Sequence, residues 1–402
     1  MFDPSQIIHV NSQKALEEIL SKFEGAKRVA LDTEADSLHH YFEKVCLIQL
    51  SVPGLDVIVD PLAEGINLSP LLEILSRKPL IIQGADYDLR MMGRDFNFKA
   101  SSMFDTMLAA QLLGYEKISY AGLVERHCGI ELSKHGQKAD WSKRPLPEKL
   151  IEYAACDTHY LFQVAETLET ELVEAGRLHW LEESCTRLLA YVAEGGKSPD
   201  PEKQWRIKGW HKLRPGRGWA FLRELWNWRD EESRRLDFPA YKVMRNEALV
   251  EIATWAQNGF KPEEAPHMPK NIIGRRRREL EAALARVRAM SPADWPKPLE
   301  STRKHAPPVN EAMLTRLKKV RDKFAEELKI DAGNLLSGSC LAAISQADPT
   351  TLEQLQSAAN LANWQVDVLG RDLLSAIADF HAASHAVLDA AGADAIEAAN
   401  PE

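Results

Sequence analysis

Cysteine is scarce: five in 402 residues, Cys46, Cys128, Cys156, Cys185 and Cys340, an odd number with no Cys-x-x-Cys pair among them. That excludes a disulfide framework and a cysteine zinc site, and it is what a chain kept in a reducing cytoplasm shows. No apolar run reaches the roughly eighteen residues of a spanning helix. The opening Met1-Phe2-Asp3-Pro4 has neither the basic nor the apolar stretch of a secretory signal. With 45% hydrophobic and 27% charged residues, the chain has the composition of a globular protein long enough for two or three domains.

Positive charge is also in deficit, at a net −9, which argues against a polyanionic partner until its distribution is considered. Residues 201–320 hold 26 Lys and Arg against 15 Asp and Glu, a local +11 that leaves the remainder at −20. A basic segment beside an acidic one suits a protein that grips a polyanion in one place and cuts it in another. A solvated helical face is the ordinary alternative for such a run.

Elements can be placed along the chain. A helix over 13–23 is followed by short β-rich runs at 28–32, 45–52 and 56–60, spaced too closely for crossover helices and therefore antiparallel. Ser69 and Pro70 mark a helix start, with Ser69 as its N-cap. A buried strand follows at 79–83, a helix at 88–95, then helical periodicity at 105–113, 120–128 and 147–175. These make an α/β unit over 1–195, a mixed sheet flanked by helices. Linker chemistry from Gly195 to Glu202 separates it from an all-helical unit over 205–295, with helices at 219–236, 246–256 and 274–290. The proline-rich stretch 292–308 leads to a second helical unit over 308–388, and the alanine-rich tail 390–402 is expected to fray.

Five residues carry the chemistry. Asp32 and Glu34 alternate on one strand and share a face. Tyr153 and Asp157, four apart on a helix, share one too. Asp88 opens a helix just after a buried strand. Singly, each has an ordinary role: Asp88 as a helix cap, Asp157 in a surface pair, Tyr153 in a core. Together, acidic groups set into apolar surroundings need compensating cations, and hard oxygen ligands select Mg²⁺ or Mn²⁺. Two such cations held by carboxylates are the machinery of phosphodiester hydrolysis, with a phenol placed to orient or help deprotonate the attacking water.

The segments Leu31-Asp32-Thr33-Glu34, Leu47-Ile48-Gln49-Leu50-Ser51, Gly84 to Leu89, Asp105-Thr106-Met107, Asp140 to Leu146 and Tyr153 to Asp157 together resemble ribonuclease D, a 3′→5′ exoribonuclease of the DEDD superfamily. The Tyr-x-x-x-Asp spacing places the resemblance in the tyrosine branch. It implies a ribonuclease-H-like first domain, Asp32, Glu34, Asp88 and Asp157 as ligands of two divalent cations, and Tyr153 and Asp157 as catalytic groups. Asp86 is the rival to Asp88, which is preferred because Leu89 follows it. Trp141 and Arg144 stand as structural or RNA-contacting residues at the mouth of the site, and the His39 to Phe42 segment could stack on a terminal base or simply pack a loop.

The run from Trp219 to Arg235, continued through Pro239 to Leu249, resembles the HRDC module, a helical bundle able to bind nucleic acid. The resemblance puts Arg234, Arg235, Lys242 and Arg245 at RNA phosphates, with Arg275 to Arg278 as a further basic cluster. Leu361 to Leu374 resembles a second, divergent module, where Asn363 and Gln365 replace residues that are often Gly and Arg. The implied activity is metal-dependent trimming of 3′ ends of structured RNA, transfer-RNA precursors first, releasing nucleoside 5′-monophosphates. A 3′→5′ DNA exonuclease and a catalytically silent RNA-binding adaptor are the alternatives; neither membrane nor oligomeric partners are indicated.

Overall fold

The computed structural model describes residues 2–133, 136–195, 200–298 and 309–398. Residues 196–199 of the expected linker, 299–308 of the proline-rich stretch and the last four residues lie outside that set. Six strands form one mixed sheet in the order β1-β4-β3-β2-β5-β6: Ile8–Val10, Val29–Ala35, Val45–Val52, Leu55–Val59, Pro79–Ile82 and Ser102–Asp105 are β1 to β6. The expected antiparallel neighbours are β2, β3 and β4. β1 pairs with β4, β5 with β2 and β6 with β5, all in parallel. The three-residue β1 and the four-residue β6 are too short to show a period in the sequence.

Eight helices pack on this sheet: α1 Gln13–Gly25, α2 Ser69–Arg77, α3 Asp86–Phe96, α4 Thr106–Leu113, α5 Tyr120–Cys128, α6 Glu148–His159, α7 Leu161–Glu174 and α8 Leu178–Ala193. α1, α2 and α3 bury Leu16, Phe23, Leu71 and Met92 against Val29, Leu31, Ile48 and Leu50 on one face. On the other face α6 lays Ala154 and Ala155 on Leu47 and Ile58, while α4, α5 and α7 cover Ala30 and Ile81. The helix expected over 147–175 is therefore two, broken at Tyr160, and the α2 N-cap is Leu68 rather than Ser69, which sits inside the first turn.

The two helical units attach to this domain in different ways. Residues 200–298 close a core of their own around Trp219, Phe221, Leu225, Trp228 and Leu280. They touch the α/β domain through polar groups: Asp237, just after helix Arg217–Leu236, accepts from the backbone N–H of Tyr41 and Phe42 (both 3.0 Å) and meets His40 Nδ1 at 2.6 Å. Residues 309–384 instead share one core with α4, α7 and α8. Trp364 stacks on Trp180 with centroids 4.8 Å apart, and the Glu183 carboxylate accepts from the backbone N–H groups of Asn363 and Trp364 at the start of helix Asn363–Ala398. That helix runs through most of the tail expected to fray.

Candidate active site

Parallel pairing brings the candidate residues together. β2 and β5 run the same way, so the Asp32–Glu34 end of β2 lies at the sheet end where β5 turns into α3. That turn needs Gly84, whose φ of +72° favours glycine. It is tied down by Asp105, whose carboxylate accepts from the N–H groups of Gly84 (3.0 Å), Ala85 (2.9 Å), Met107 and Leu108. α3 then presents Asp88, 7% exposed, whose Oδ1 accepts from Thr33 Oγ1 at 2.5 Å. Asp86 turns outward and pairs with Arg90 at 2.7 Å. Helix phase thus brings Asp88 to β2 and leaves Asp86 at the surface.

α6 supplies the other wall. Burial and the carboxylates of Asp88, Asp157 and Glu34 push Asp32 well above the usual range. Burial, then Asp157 and Asp88, raise Glu34 to about 9; burial raises Asp157 to about 7 and Asp88 to about 6, the last held down by Thr33. Asp88 and Asp157 thus lie near enough to act on both Asp32 and Glu34. Among the described residues, none of the four has an ion-pair partner, and no three potential ligands are yet gathered tightly enough to hold an ion. The donor set itself fits hard divalent cations: four carboxylates, uncompensated, with neither Cys nor His among them.

Tyr153 stands one turn before Asp157, its phenol pushed above its ordinary value by burial and then by Asp157, Glu34 and Asp32. Its ring is sandwiched. Trp141 lies 6.2 Å away at 31°, and on another side is the backbone of Gly136, where an added Cβ would collide with the Tyr153 ring. A cavity of about 620 Å³ opens beside Tyr153 and Asp157, lined also by Phe2, Leu132, Leu150 and Cys156.

The expected RNA contacts fare differently. Trp141 is 1% exposed, which leaves it no face for a base and makes it the support of Tyr153. Arg144 grips buried Asp60 with two bonds of 2.6 Å and donates to the carbonyls of Trp141, Lys143 and Cys46, so its fork is filled by protein. Arg235 is bidentate on Glu232, and Arg234 lies between Asp230 and Tyr41. Trp141 and Arg144 therefore take the structural one of their two expected roles, while Arg234 and Arg235 are paired to acids of their own helix with their side chains still exposed. Lys242 is exposed, 3.5 Å from His39, and Arg245 is exposed with no side-chain partner among the described residues. Tyr41 donates its hydroxyl to Asp230 at 2.9 Å, across the contact between the two domains.

Three contributors escaped the sequence reading. Asp105 carries the signature of an N-cap before an apolar helix and could have been found. Asp60 as the partner of Arg144, and Gly136 as the floor under Tyr153, depend on contacts across 84 and 17 residues of chain.

Comparison with known proteins agrees with this architecture. A family model described as 3′-5′ exonuclease matches residues 7–173, and one described as HRDC domain matches 220–256 and 310–377. The chain is 32% identical over 288 residues to ribonuclease D of Jannaschia sp., covering 67% of this chain and 71% of that one. Ribonuclease D of Granulibacter bethesdensis is 29% identical over 86% of both chains. The fold matches the crystal structure of Escherichia coli RNase D with a TM-score of 0.69 and 23% identity, over 92% of this chain and 98% of that one. The mixed sheet with its helices is thus the ribonuclease-H-like exonuclease fold, and this chain belongs to the ribonuclease D family of 3′→5′ exonucleases.

Proposed function

We propose that this chain trims the 3′ ends of structured RNA, transfer-RNA precursors among them, and releases nucleoside 5′-monophosphates by a two-metal-ion mechanism. The observation that carries the reading is the set of four buried carboxylates with raised pKa values and no compensating cation among the described residues, beside a supported phenol. The likeness to Escherichia coli RNase D, an exoribonuclease involved in structured RNA processing, supports the substrate class. Five free thiols suit a reducing cytoplasm. Among the described residues no helix is long and apolar enough to cross a membrane.

Asp32, Glu34, Asp88 and Asp157 would hold the cations, drawing in by side-chain rotation on a backbone already in place. When bound, two divalent cations lower the pKa of water and neutralise charge on the leaving oxygen. Tyr153 stands beside Asp157, its phenol pKa raised in the metal-free site by burial and the neighbouring carboxylates, where it can orient or help deprotonate the attacking water. Trp141 and Gly136 hold the phenol in that position. The division of labour assigns hydrolysis to 1–195 and RNA retention to 205–295, with 308–388 bracing the catalytic domain.

The test is digestion of matched 5′-labelled RNA and DNA oligonucleotides. RNA should shorten stepwise from its 3′ end with Mg²⁺ or Mn²⁺, stop in EDTA, and fail to recover with Ca²⁺, which prefers looser coordination. Equal or faster digestion of DNA would favour the deoxyribonuclease alternative, and metal-independent cleavage would remove the mechanism.

A further inference from the structure

Two buried polar groups next to this site have no bonding partner among the described residues, the Gln49 amide and Trp141 Nε1. Gln49, in the middle of β3, is 0% exposed, and neither Oε1 nor Nε2 of its amide finds a hydrogen bond among the described residues. Its surroundings follow from the register. On the face covered by α6, β2 presents Ala30, Asp32 and Glu34, directly opposite Ser51, Gln49 and Leu47 of β3. On the far side Gln49 faces Ile58, and Ser51 faces Asp56. Ala154 and Ala155 of α6 pack over Leu47 and Ile58.

Trp141 Nε1, unbonded and buried in the same cluster, is a donor and can serve only Oε1. Of the residues that face or cover Gln49, each but one is apolar or already engaged. Leu47, Ile58 and the two alanines offer no polar atom, and Ser51 Oγ is bonded to Asp56 (2.6 Å) and to Thr158 (2.7 Å). The polar side chain directly opposite Gln49 is Asp32, and paired residues on one sheet face bring their Cβ atoms to about 5 Å. As a core residue Gln49 is a poor choice, because a buried amide with nothing to bond costs stability that a leucine or methionine of similar size would not. Beside a carboxylate that must be held in one orientation, the same amide is well placed.

We propose that Gln49 is a positioning residue of the active site, its amide Nε2–H donating to the Asp32 carboxylate and fixing the orientation in which Asp32 holds a cation. The inference rests on the reading of Asp32, Glu34, Asp88 and Asp157 as metal ligands. Partners of this kind, one step behind a ligand, commonly change metal affinity by about 10- to 100-fold when removed.

The experiment uses the full chain stripped of metal, as wild type, Gln49→Leu, Gln49→Met and Asp88→Asn. Melting without divalent cation is followed by calorimetric titration with Mn²⁺ alone. Both Gln49 variants should melt at or above the wild-type temperature, because the unbonded amide is gone, while their Mn²⁺ dissociation constant rises on the order of 10-fold. A merely structural glutamine gives the reverse: lower melting temperature and unchanged Mn²⁺ affinity. That result, or failure of both Gln49 variants to fold, overturns the proposal. Should Asp88→Asn bind Mn²⁺ as well as wild type, the metal reading itself fails. If Asp88→Asn loses Mn²⁺ but both Gln49 variants keep it, only the role of Gln49 falls.

Discussion

Charge is treated in opposite ways at the catalytic face and in the first helical module. Around Asp32, Glu34, Asp88 and Asp157, like charges face one another with no cation among the described residues. In the module several cations meet an acid: Arg275 with Glu279 (2.6 Å), Arg276 and Arg235 with Glu232 (3.0 and 2.6 Å), Arg277 with Glu281 (3.0 Å) and Arg286 with Glu224 (3.1 Å). The local +11 is what remains after this pairing, since each paired Arg and Glu cancels in the sum. Arginine and glutamate are brought together in the module, whereas the four carboxylates face like charge.

The sharpest way to break this contrast is to remove charge at the site. Asp32→Ala, Glu34→Gln, Asp88→Asn or Asp157→Asn should each cut hydrolysis on the order of 100-fold or more, with Asp86→Asn close to wild type. Single-turnover digestion of labelled RNA reads both. Gly136→Ala should also slow hydrolysis, by displacing the Tyr153 ring, with RNA affinity unchanged.

Stability against pH separates the two regions next. The site carboxylates have folded-state pKa values raised above their unfolded values, near 6, 7 and 9 for Asp88, Asp157 and Glu34. The native state therefore binds more protons than the unfolded state across that window. This contribution to stability is fully present below about pH 4 and lost as pH climbs through those values. Metal-free melting temperature should fall between pH 5 and 9, and Mn²⁺ should flatten the decline. Asp157→Asn should flatten it partly; a slope unchanged by that substitution would mean that the carboxylates do not share one space.

In the module the same kind of substitution acts in the opposite direction. Glu232 is buried and bonded to two arginines, so Glu232→Gln should cost about 2 kcal/mol, read by chemical denaturation. The smallest effects belong to the unpaired cations. If Lys242 and Arg245 contact phosphates, replacing each by alanine should reduce the log–log salt slope of RNA binding by about 0.7. Arg275→Ala and Arg277→Ala should leave the slope almost unchanged. Fluorescence anisotropy on the Asp157→Asn background measures all four, and equal slopes throughout would assign RNA retention elsewhere.

Local pattern was enough for the longer elements. β3 occupies Val45–Val52 as its β-rich run predicts, and α5 occupies Tyr120–Cys128 between Ser119 and Gly129, both of which carry capping signatures. The five candidate residues were legible because strand and helix periods put Asp32 with Glu34, and Tyr153 with Asp157, whatever the rest of the chain does. Basicity was legible only as composition. Which arginine is free depends on which acid the bundle carries to it, and Glu232 reaches Arg276 across 44 residues.

What the sequence determined by itself, then, was the chemistry: carboxylates at periods of two and four, a phenol beside one of them, and a family resemblance spanning most of the chain. Tertiary structure alone decided the partnerships. Helix phase at α3 turns Asp88 to β2 and Asp86 to the surface, the β2–β3 register sets Gln49 opposite Asp32, and stacking of Trp364 on Trp180 merges the last module with the core of the first domain. Periodicity is a property of neighbouring residues and survives in any fold. Pairing between residues far apart in the chain exists only once loops have closed and surfaces have met.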